Sequence, residues 1–331
     1  MGTLDGRVAL ITGAGRGIGR QEALFFASEG AKVVVNDPGV TPEGTGGDAG
    51  VAGAVADEIR DAGGQAVAST DDVTDWDGAR RMVQTAVETF GDLDVVVNNA
   101  AIHRRRALVN MTEDEFDAVL AVHLKGTFAV TRWAARHWRD QGDTRDRAVV
   151  NTVSASGLLL PGITQGNYAA AKAGIAALTT AHAVELARYG VRVNAVSPSM
   201  ARTRLTEGVP GMSGPPDVPG MSGPPDGAFD PLDPALTAHV AAYLATPGCP
   251  VNGQVLAVRG TSVTVLNGWS AGESVTKDGA PWTVAELGEA MAALPRRDPL
   301  AEAVAMVGGS LGDGNRDKLL AMVDAMLADP R

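Results

Sequence analysis

Arg7-Val8-Ala9-Leu10-Ile11-Thr12-Gly13-Ala14-Gly15-Arg16-Gly17-Ile18-Gly19 is the stretch that decides the fold. Arg7–Thr12 reads as a strand, and Ile18–Ser28, directly after the glycines, reads as a helix. Glycines between a strand and a helix let the backbone come close to a phosphate group, and the helix start offers unbonded N–H groups and the positive end of a dipole. A glycine-rich string alone is a weak signal in a chain with 41 glycines. Its place between a strand and a helix makes it a strong one. The spacing here is Gly-x-x-x-Gly-x-Gly, not Gly-x-Gly-x-x-Gly.

The same alternation continues outward. Strand-like runs at 32–36, 65–69, 93–98, 148–153, 191–196 and 254–258 are separated by helix-like stretches at 51–62, 76–90, 113–139, 167–188 and 236–245. Val33-Val34-Val35 and Val95-Val96-Val97 are apolar on both sides, as strands covered on both faces are. The expected fold is therefore α/β, a single doubly wound parallel sheet of about seven strands. Residues 1–264 form the expected catalytic domain. Residues 206–235 break the pattern: Gly and Pro dominate, and Val209–Asp217 is repeated residue for residue by Val218–Asp226. Beyond residue 264, helical periodicity over 284–294 and 317–328 predicts a C-terminal helical extension through residue 331.

Composition narrows the function. The 331 residues carry a net charge of −11, which disfavours nucleic acid and anionic membranes as partners. Aromatic residues make up only 4 %, so the core must be built from Ala, Val and Leu. A lone cysteine, Cys249, rules out an internal disulfide and suits a reducing compartment. The first residues contain no apolar targeting stretch, and no run of apolar residues is long enough to span a bilayer. A cytoplasmic location is expected. His103, His123, His137, His182 and His239 show no metal-ligand spacing, and no metal is predicted.

Tyr168 and Lys172 stand four residues apart in a predicted helix, on one face. With three tyrosines and five lysines in the chain, roughly 0.05 such pairs are expected by chance. An ammonium beside a phenol favours the phenolate, so this spacing predicts a tyrosine with a lowered pKa, suited to general acid/base work on an alcohol or ketone. A surface Tyr with a solvated Lys is the plain alternative. Asp37 ends the second strand, where a carboxylate accepts hydrogen bonds from a ribose and repels a 2′-phosphate, favouring NAD(H). Arg16 in the glycine loop pulls the other way and leaves NADP(H) open. Asp37 also suits a plain turn before Pro38.

Taken together, these motifs make residues 5–260 resemble the short-chain dehydrogenase/reductase family. They comprise the glycine loop at 12–19, Asp72-Val73, Asn98-Asn99-Ala100-Ala101, Ser154, Tyr168, Lys172, Pro198 with Thr203, and the closing strand Gly253–Gly260. The resemblance implies a Rossmann fold and an NAD- or NADP-linked oxidation of CH–OH groups. It implies that Tyr168 is the acid/base, that Lys172 holds the nicotinamide ribose, and that Ser154 binds the substrate oxygen, with Ser156 as a competitor. Thr12, Gly13, Gly15, Arg16, Gly17, Ile18 and Gly19 would cradle the pyrophosphate. Asp72 and Val73 would meet the adenine, Asn98 would hold the sheet centre near the cofactor, Ala100 would also bind the cofactor, and Thr203 would meet the carboxamide.

The chain also departs from the family pattern. His123 stands where the family's catalytic asparagine is usual, in place to bind a water linking to the lysine. Ala101 and Ser199 replace glycines. The insertion to Gly50, His123-Leu124-Lys125-Gly126, Gln165-Gly166-Asn167-Tyr168 and Gly268-Trp269 resemble the (3R)-hydroxyacyl-CoA dehydrogenase-like and hydroxysteroid dehydrogenase-like subgroup. That implies a 3-hydroxyacyl thioester or a steroid-like or polycyclic alcohol as substrate. His103-Arg104-Arg105-Arg106 lies where arginines can meet the phosphates of a CoA thioester. Residues 199–235 correspond to a mobile substrate lid. The family forms homotetramers or homodimers through the helices at 113–139 and 167–188. An NADPH-dependent ketoreductase of a biosynthetic pathway and a non-catalytic cofactor-binding protein remain the alternatives.

Overall fold

The computed structural model describes residues 2–160, 162–198, 201–206, 229–268, 273–277 and 281–295, with isolated residues 317 and 321. The duplicated segment at 209–226, Trp269 and, apart from residues 317 and 321, the helix expected at 317–328 lie outside the described residues.

Among the described residues, eight strands and six helices build the sheet and its two coverings. The strands are β1 (Val8–Thr12), β2 (Lys32–Asn36), β3 (Gln65–Ser69), β4 (Val95–Asn98), β5 (Arg147–Thr152), β6 (Val191–Pro198), β7 (Val255–Arg259) and β8 (Ser262–Leu266). Their order across the sheet is β3-β2-β1-β4-β5-β6-β7-β8. All pairs are parallel except the last. Between β1 and β4 the winding reverses direction, and a crevice opens there at the carboxyl ends of the strands.

Alternation along each strand sorts side chains onto two cores. Ala9, Ile11, Val33, Val35, Val95 and Val97 meet α1 (Gly17–Ser28), α2 (Gly50–Asp61) and α7 (Ala235–Ala245) on one face. Val8, Leu10, Val34, Val96 and Val149 meet α3 (Trp76–Phe90) and α5 (Gly126–Gln141) on the other, joined by the end of α6 (Gly166–Leu186). Burial on both faces is what the uninterrupted valine runs require. Trp138, fully buried under the sheet, donates its indole N–H to the Leu93 carbonyl, which satisfies its one polar atom.

Two elements differ from the sequence expectation. The sheet has eight strands, because Gly260 and Thr261 close a two-residue hairpin that adds β8 antiparallel at the edge. Gly260 has φ +55°, a conformation open to glycine, and the turn reverses the chain without a helix. The helix expected over 113–139 is three segments: α4 (Glu113–Leu120), a π-helical turn at Ala121–Lys125, and α5. Hydrophobic periodicity reports the faces of a helix and not a single widened turn. Thr112 and Glu115 start α4 with a reciprocal capping box.

The chain divides into two compact units, with the boundary between Leu266 and Asn267. The described part of the second unit contains α8 (Val284–Ala292), started by a capping box of Thr283 and Glu286.

Candidate active site

Residues from the carboxyl ends of β1, β2, β4, β5 and β6 converge on a cavity of about 370 Å³. Its floor on one side is the glycine loop. Gly13 has φ +63°, and a Cβ there would lie 2.8 Å from the Ala100 backbone. Gly17 has φ +55° and faces the Thr203 methyl. Gly13, Arg16, Gly17 and Ile18 line the cavity. No side chain caps the start of α1, and no acidic residue occupies its first turn. The helix therefore presents its N–H groups and dipole to the cavity without a competing anion.

Thr12, Gly15 and Gly19 act behind this surface and do not line it. The Thr12 hydroxyl accepts hydrogen bonds from the backbone N–H groups of Asn99 (3.1 Å) and Ala100 (3.2 Å). Gly15 donates its N–H to Asp37 Oδ2 at 3.0 Å. Gly19 packs on the Gly13 carbonyl, with no room for a Cβ. Asp37 lines the cavity at the end of β2, and its Oδ1 accepts from the Gly39 N–H at 2.7 Å. Asp72, Val73, Ala100 and Thr203 also line it.

Asn98 lies at the centre of the sheet and not in the cavity lining. Its amide donates to Thr131 Oγ1 and Asn151 Oδ1, both at 2.9 Å, and Asn151 in turn donates to Thr179. This buried polar chain ties β4 and β5 to α5 and α6, beneath the cavity and not in its lining. The neighbouring Asn99 takes the lining position instead.

At the far side stand Ser154, Tyr168 and Lys172. Lys172 is 2 % exposed and donates to the Thr152 carbonyl at 2.6 Å. Its ammonium nitrogen is 5.5 Å from the centre of the Tyr168 ring. Burial lowers the Lys172 pKa from 10.5 to about 7. Burial also raises the Tyr168 pKa, while a hydrogen bond with Ser154 and the charge of Arg105 pull it back. The expectation that Lys172 would lower the phenol is thus corrected: burial raises it, and the groups that pull it back are Ser154 and Arg105. Ser154, not Ser156, contacts Tyr168. Ser156 donates its backbone N–H to Ser154 Oγ at 3.2 Å and so orients that hydroxyl.

His123 sits inside the π-helical turn, fully buried, and meets the Tyr168 ring edge-on at 5.2 Å. Its Nε2 lies 3.1 Å from the Ile102 N–H and 2.8 Å from the Ile102 carbonyl. Burial drives its pKa well down, so the ring is neutral. It braces the loop after β4 and does not line the cavity. Nδ1 has no protein partner among the described residues.

Several lining residues were not assigned a place at the site from the sequence. Val40, Thr41, Pro42 and Gly44, from the insertion after β2, fold over the cavity. The Pro42 and Glu43 carbonyls accept from the His103 N–H and the Arg104 guanidinium. His103 stacks on Tyr168, ring centres 4.5 Å apart and planes at 21°. Of the three arginines expected together, only Arg105 lines the cavity: Arg104 is bound to the Glu43 carbonyl, and Arg106 pairs with Glu115 at 2.7 Å.

The family model for the short chain dehydrogenase matches residues 7–212. The chain is 43 % identical over 294 residues to the hydroxyacyl-CoA dehydrogenase ChsB1 of Mycobacterium tuberculosis, covering 86 % of this chain and 87 % of that one. It is also 43 % identical to the peroxisomal multifunctional enzyme type 2 of Drosophila melanogaster, over 76 % of this chain but only 38 % of that longer protein. The crystal structure of a short chain dehydrogenase from Mycobacterium avium is similar, with a TM-score of 0.75 and 46 % identity, covering 88 % of this chain and 95 % of the other. A glycine cradle at the switch point, a Ser–Tyr–Lys group across from it, and relatives that share both length and sequence lead to one conclusion: the chain belongs to the short-chain dehydrogenase family, oxidoreductases that act on CH–OH groups with a nicotinamide cofactor.

Proposed function

We propose that this protein interconverts a secondary alcohol and a ketone with NAD(H), and that 3-hydroxyacyl thioesters are its preferred substrates, ahead of steroid-like or polycyclic alcohols. The observation that carries the chemistry is the half-buried Tyr168 phenol at one end of the cavity, hydrogen-bonded with Ser154, and with the Lys172 ammonium 5.5 Å from its ring centre. The substrate preference is supported by the name of the hydroxyacyl-CoA dehydrogenase ChsB1, a relative that matches 86 % of this chain.

A nicotinamide dinucleotide suits the residues present. Gly13 and Gly17 hold the positive φ that shapes the loop lining the cavity, and the uncapped start of α1 complements the charge of a pyrophosphate. Asp37, with its carboxylate at the cavity edge, suits two ribose hydroxyls and opposes a 2′-phosphate, which supports NAD(H). When bound, the cofactor supplies the ring that accepts or gives hydride. The chain's own residues do the rest. Ser154 holds the substrate oxygen. Tyr168 takes the proton from that oxygen during oxidation and returns it during reduction. Lys172, anchored by the Thr152 carbonyl, sets the electrostatic field at the phenol. Water is kept off by the insertion after β2 and by residues 201–206, the described start of the segment we read as the substrate lid, 199–235. The Arg202–Asp230 ion pair at 3.1 Å links the described ends of that segment.

Residues 1–264 are the dehydrogenase domain in this proposal, and residues 265–331 an appended helical part. A cytoplasmic location is supported by the single, buried, unpaired Cys249. Among the described residues no helix is long and apolar enough to cross a membrane, and no cluster of side chains could hold a metal ion.

The test follows NADH formation with 3-hydroxybutyryl-CoA and a panel of secondary alcohols, with NAD and NADP compared. Tyr168→Phe should lower kcat by roughly a hundredfold to ten-thousandfold, the range a positioned acid/base supplies. Equal activity in the variant would remove Tyr168 from the chemistry. A preference of the unmodified protein for NADP would overturn the reading of Asp37.

A further inference from the structure

Three arginines follow β4 in sequence, and the fold gives each a different fate. Arg104 is half-buried and bound to a backbone carbonyl. Arg106 is neutralised by Glu115. Arg105 enters the cavity half-buried. Its Nη2 donates to the Leu205 carbonyl at 3.1 Å, and its Nε is buried with no hydrogen-bond partner. Among the described residues no carboxylate pairs with it. A half-desolvated guanidinium with an unused donor, in a lining that is otherwise largely apolar, is costly unless a ligand completes it.

Its position says where that ligand atom lies. Arg105 and the stacked pair His103–Tyr168 line the same end of the cavity. The Arg105 charge is felt by the Tyr168 phenol and by the His103 ring. His103 is neutral, its pKa pushed down to about 3, and its Nδ1 is buried without a partner. Two unsatisfied polar groups therefore stand beside the atom that exchanges the proton. The phosphates of a CoA thioester sit at the far end of the pantetheine arm and cannot be what Arg105 meets there. The acyl oxygen, one carbon removed from the carbinol, can.

We propose that Arg105 is a specificity-determining residue whose guanidinium, assisted by His103, binds the acyl oxygen of a 3-hydroxyacyl substrate while its carbinol oxygen sits at Tyr168. This rests on the dehydrogenase reading above. A carboxylate and a thioester carbonyl both offer such an oxygen, and a guanidinium fork suits either, the carboxylate in bidentate fashion.

Three probes separate the possibilities: (R)-3-hydroxybutyrate, its N-acetylcysteamine thioester, and 2-pentanol, which lacks an acyl oxygen. For the unmodified protein, Arg105→Met and Arg105→Lys, kcat/KM on each acyl probe is divided by kcat/KM on 2-pentanol. The ratio cancels any general effect of the variant on Tyr168 or on the Leu205 contact. In Arg105→Met it should fall roughly tenfold to a hundredfold, the usual worth of a charge-assisted hydrogen bond, and Arg105→Lys should recover part of it. The larger drop identifies the acyl form that Arg105 reads. An unchanged ratio on both acyl probes overturns the proposal while leaving the dehydrogenase intact. Absence of turnover with every probe would instead sink the dehydrogenase reading. Calorimetric titration of acetoacetate then decides on Arg105: weaker binding to Arg105→Met supports anion recognition at this residue, and equal binding overturns it.

Discussion

Lys172 shows how far burial governs this site. Its folded pKa is near 7, against 10.5 for an exposed lysine. Between those values the unfolded chain binds a proton that the native protein does not, so stability rises with pH across that window. Below pH 7 the charged ammonium is held in the interior at full cost. Lys172→Met removes this dependence. Its stability relative to the unmodified protein should be most favourable near pH 7 and decline toward pH 10, read as the difference in urea midpoints. A difference that stays flat over that range would show that Lys172 is charged in the fold throughout. The same poise suits catalysis, since a lysine close to neutrality changes its charge in response to a cofactor or substrate nearby.

At the scale of elements, α1 has one feature that its role at the glycine loop does not explain. Gly19, Glu22, Ala23 and Phe26 form its buried face, at the spacing of one helical stripe. Glu22 is fully buried, and neither carboxyl oxygen has a partner among the described residues. Desolvation raises its pKa from 4.5 to about 8. Here the sign is opposite to that of Lys172: the native state keeps a proton that the unfolded chain releases, so stability falls as pH rises from 4.5 to 8. Glu22→Met, apolar and helix-compatible, should stabilise the protein most above pH 8 and least near pH 4.5. A thermal melt series showing the same gain at both ends would mean that Glu22 is not protonated in the core. The π-helical turn at Ala121–Lys125 is the other telling element. It places His123 edge-on to Tyr168, and at its end Gly126 lets the chain pass within contact of Val73, where a Cβ would come 2.8 Å from the valine methyl. A widened turn at a functional site is a recurrent use of this geometry.

For the whole molecule, the surface of α4, α5 and α6 carries apolar side chains that a lone subunit would leave in water. Val184 is 80 % exposed, and Phe116 and Phe128 are each 39 % exposed. Phe128 lies against His182 of α6, the helix that also carries Val184. We take this face as the contact between copies in a homodimer or homotetramer. Val184→Glu would put a charge into that contact, where like charges from two subunits oppose each other. Analytical ultracentrifugation should show the unmodified protein as a dimer or tetramer and the variant shifted toward the monomer. A monomeric unmodified protein would refute the assembly, and an unshifted variant would place the contact elsewhere.

The order of strands and helices was legible in the chain because each rests on local causes: valine runs that need two covered faces, glycines where positive φ or close approach is required, and apolar residues at helical spacing. The family motifs were legible for the same reason, since the cradle from Gly13 to Gly19 is contiguous and Tyr168 and Lys172 lie one helical turn apart. The tertiary structure alone decided which of three consecutive arginines enters the cavity, that Asn98 turns into the sheet while Asn99 faces out, and that His103 stacks on Tyr168 from 65 residues away. It also reversed the expected sign of the Tyr168 shift. Sequence spacing measures how close a cation stands to a phenol, whereas desolvation depends on everything packed around both, and that sum exists only once the chain has folded.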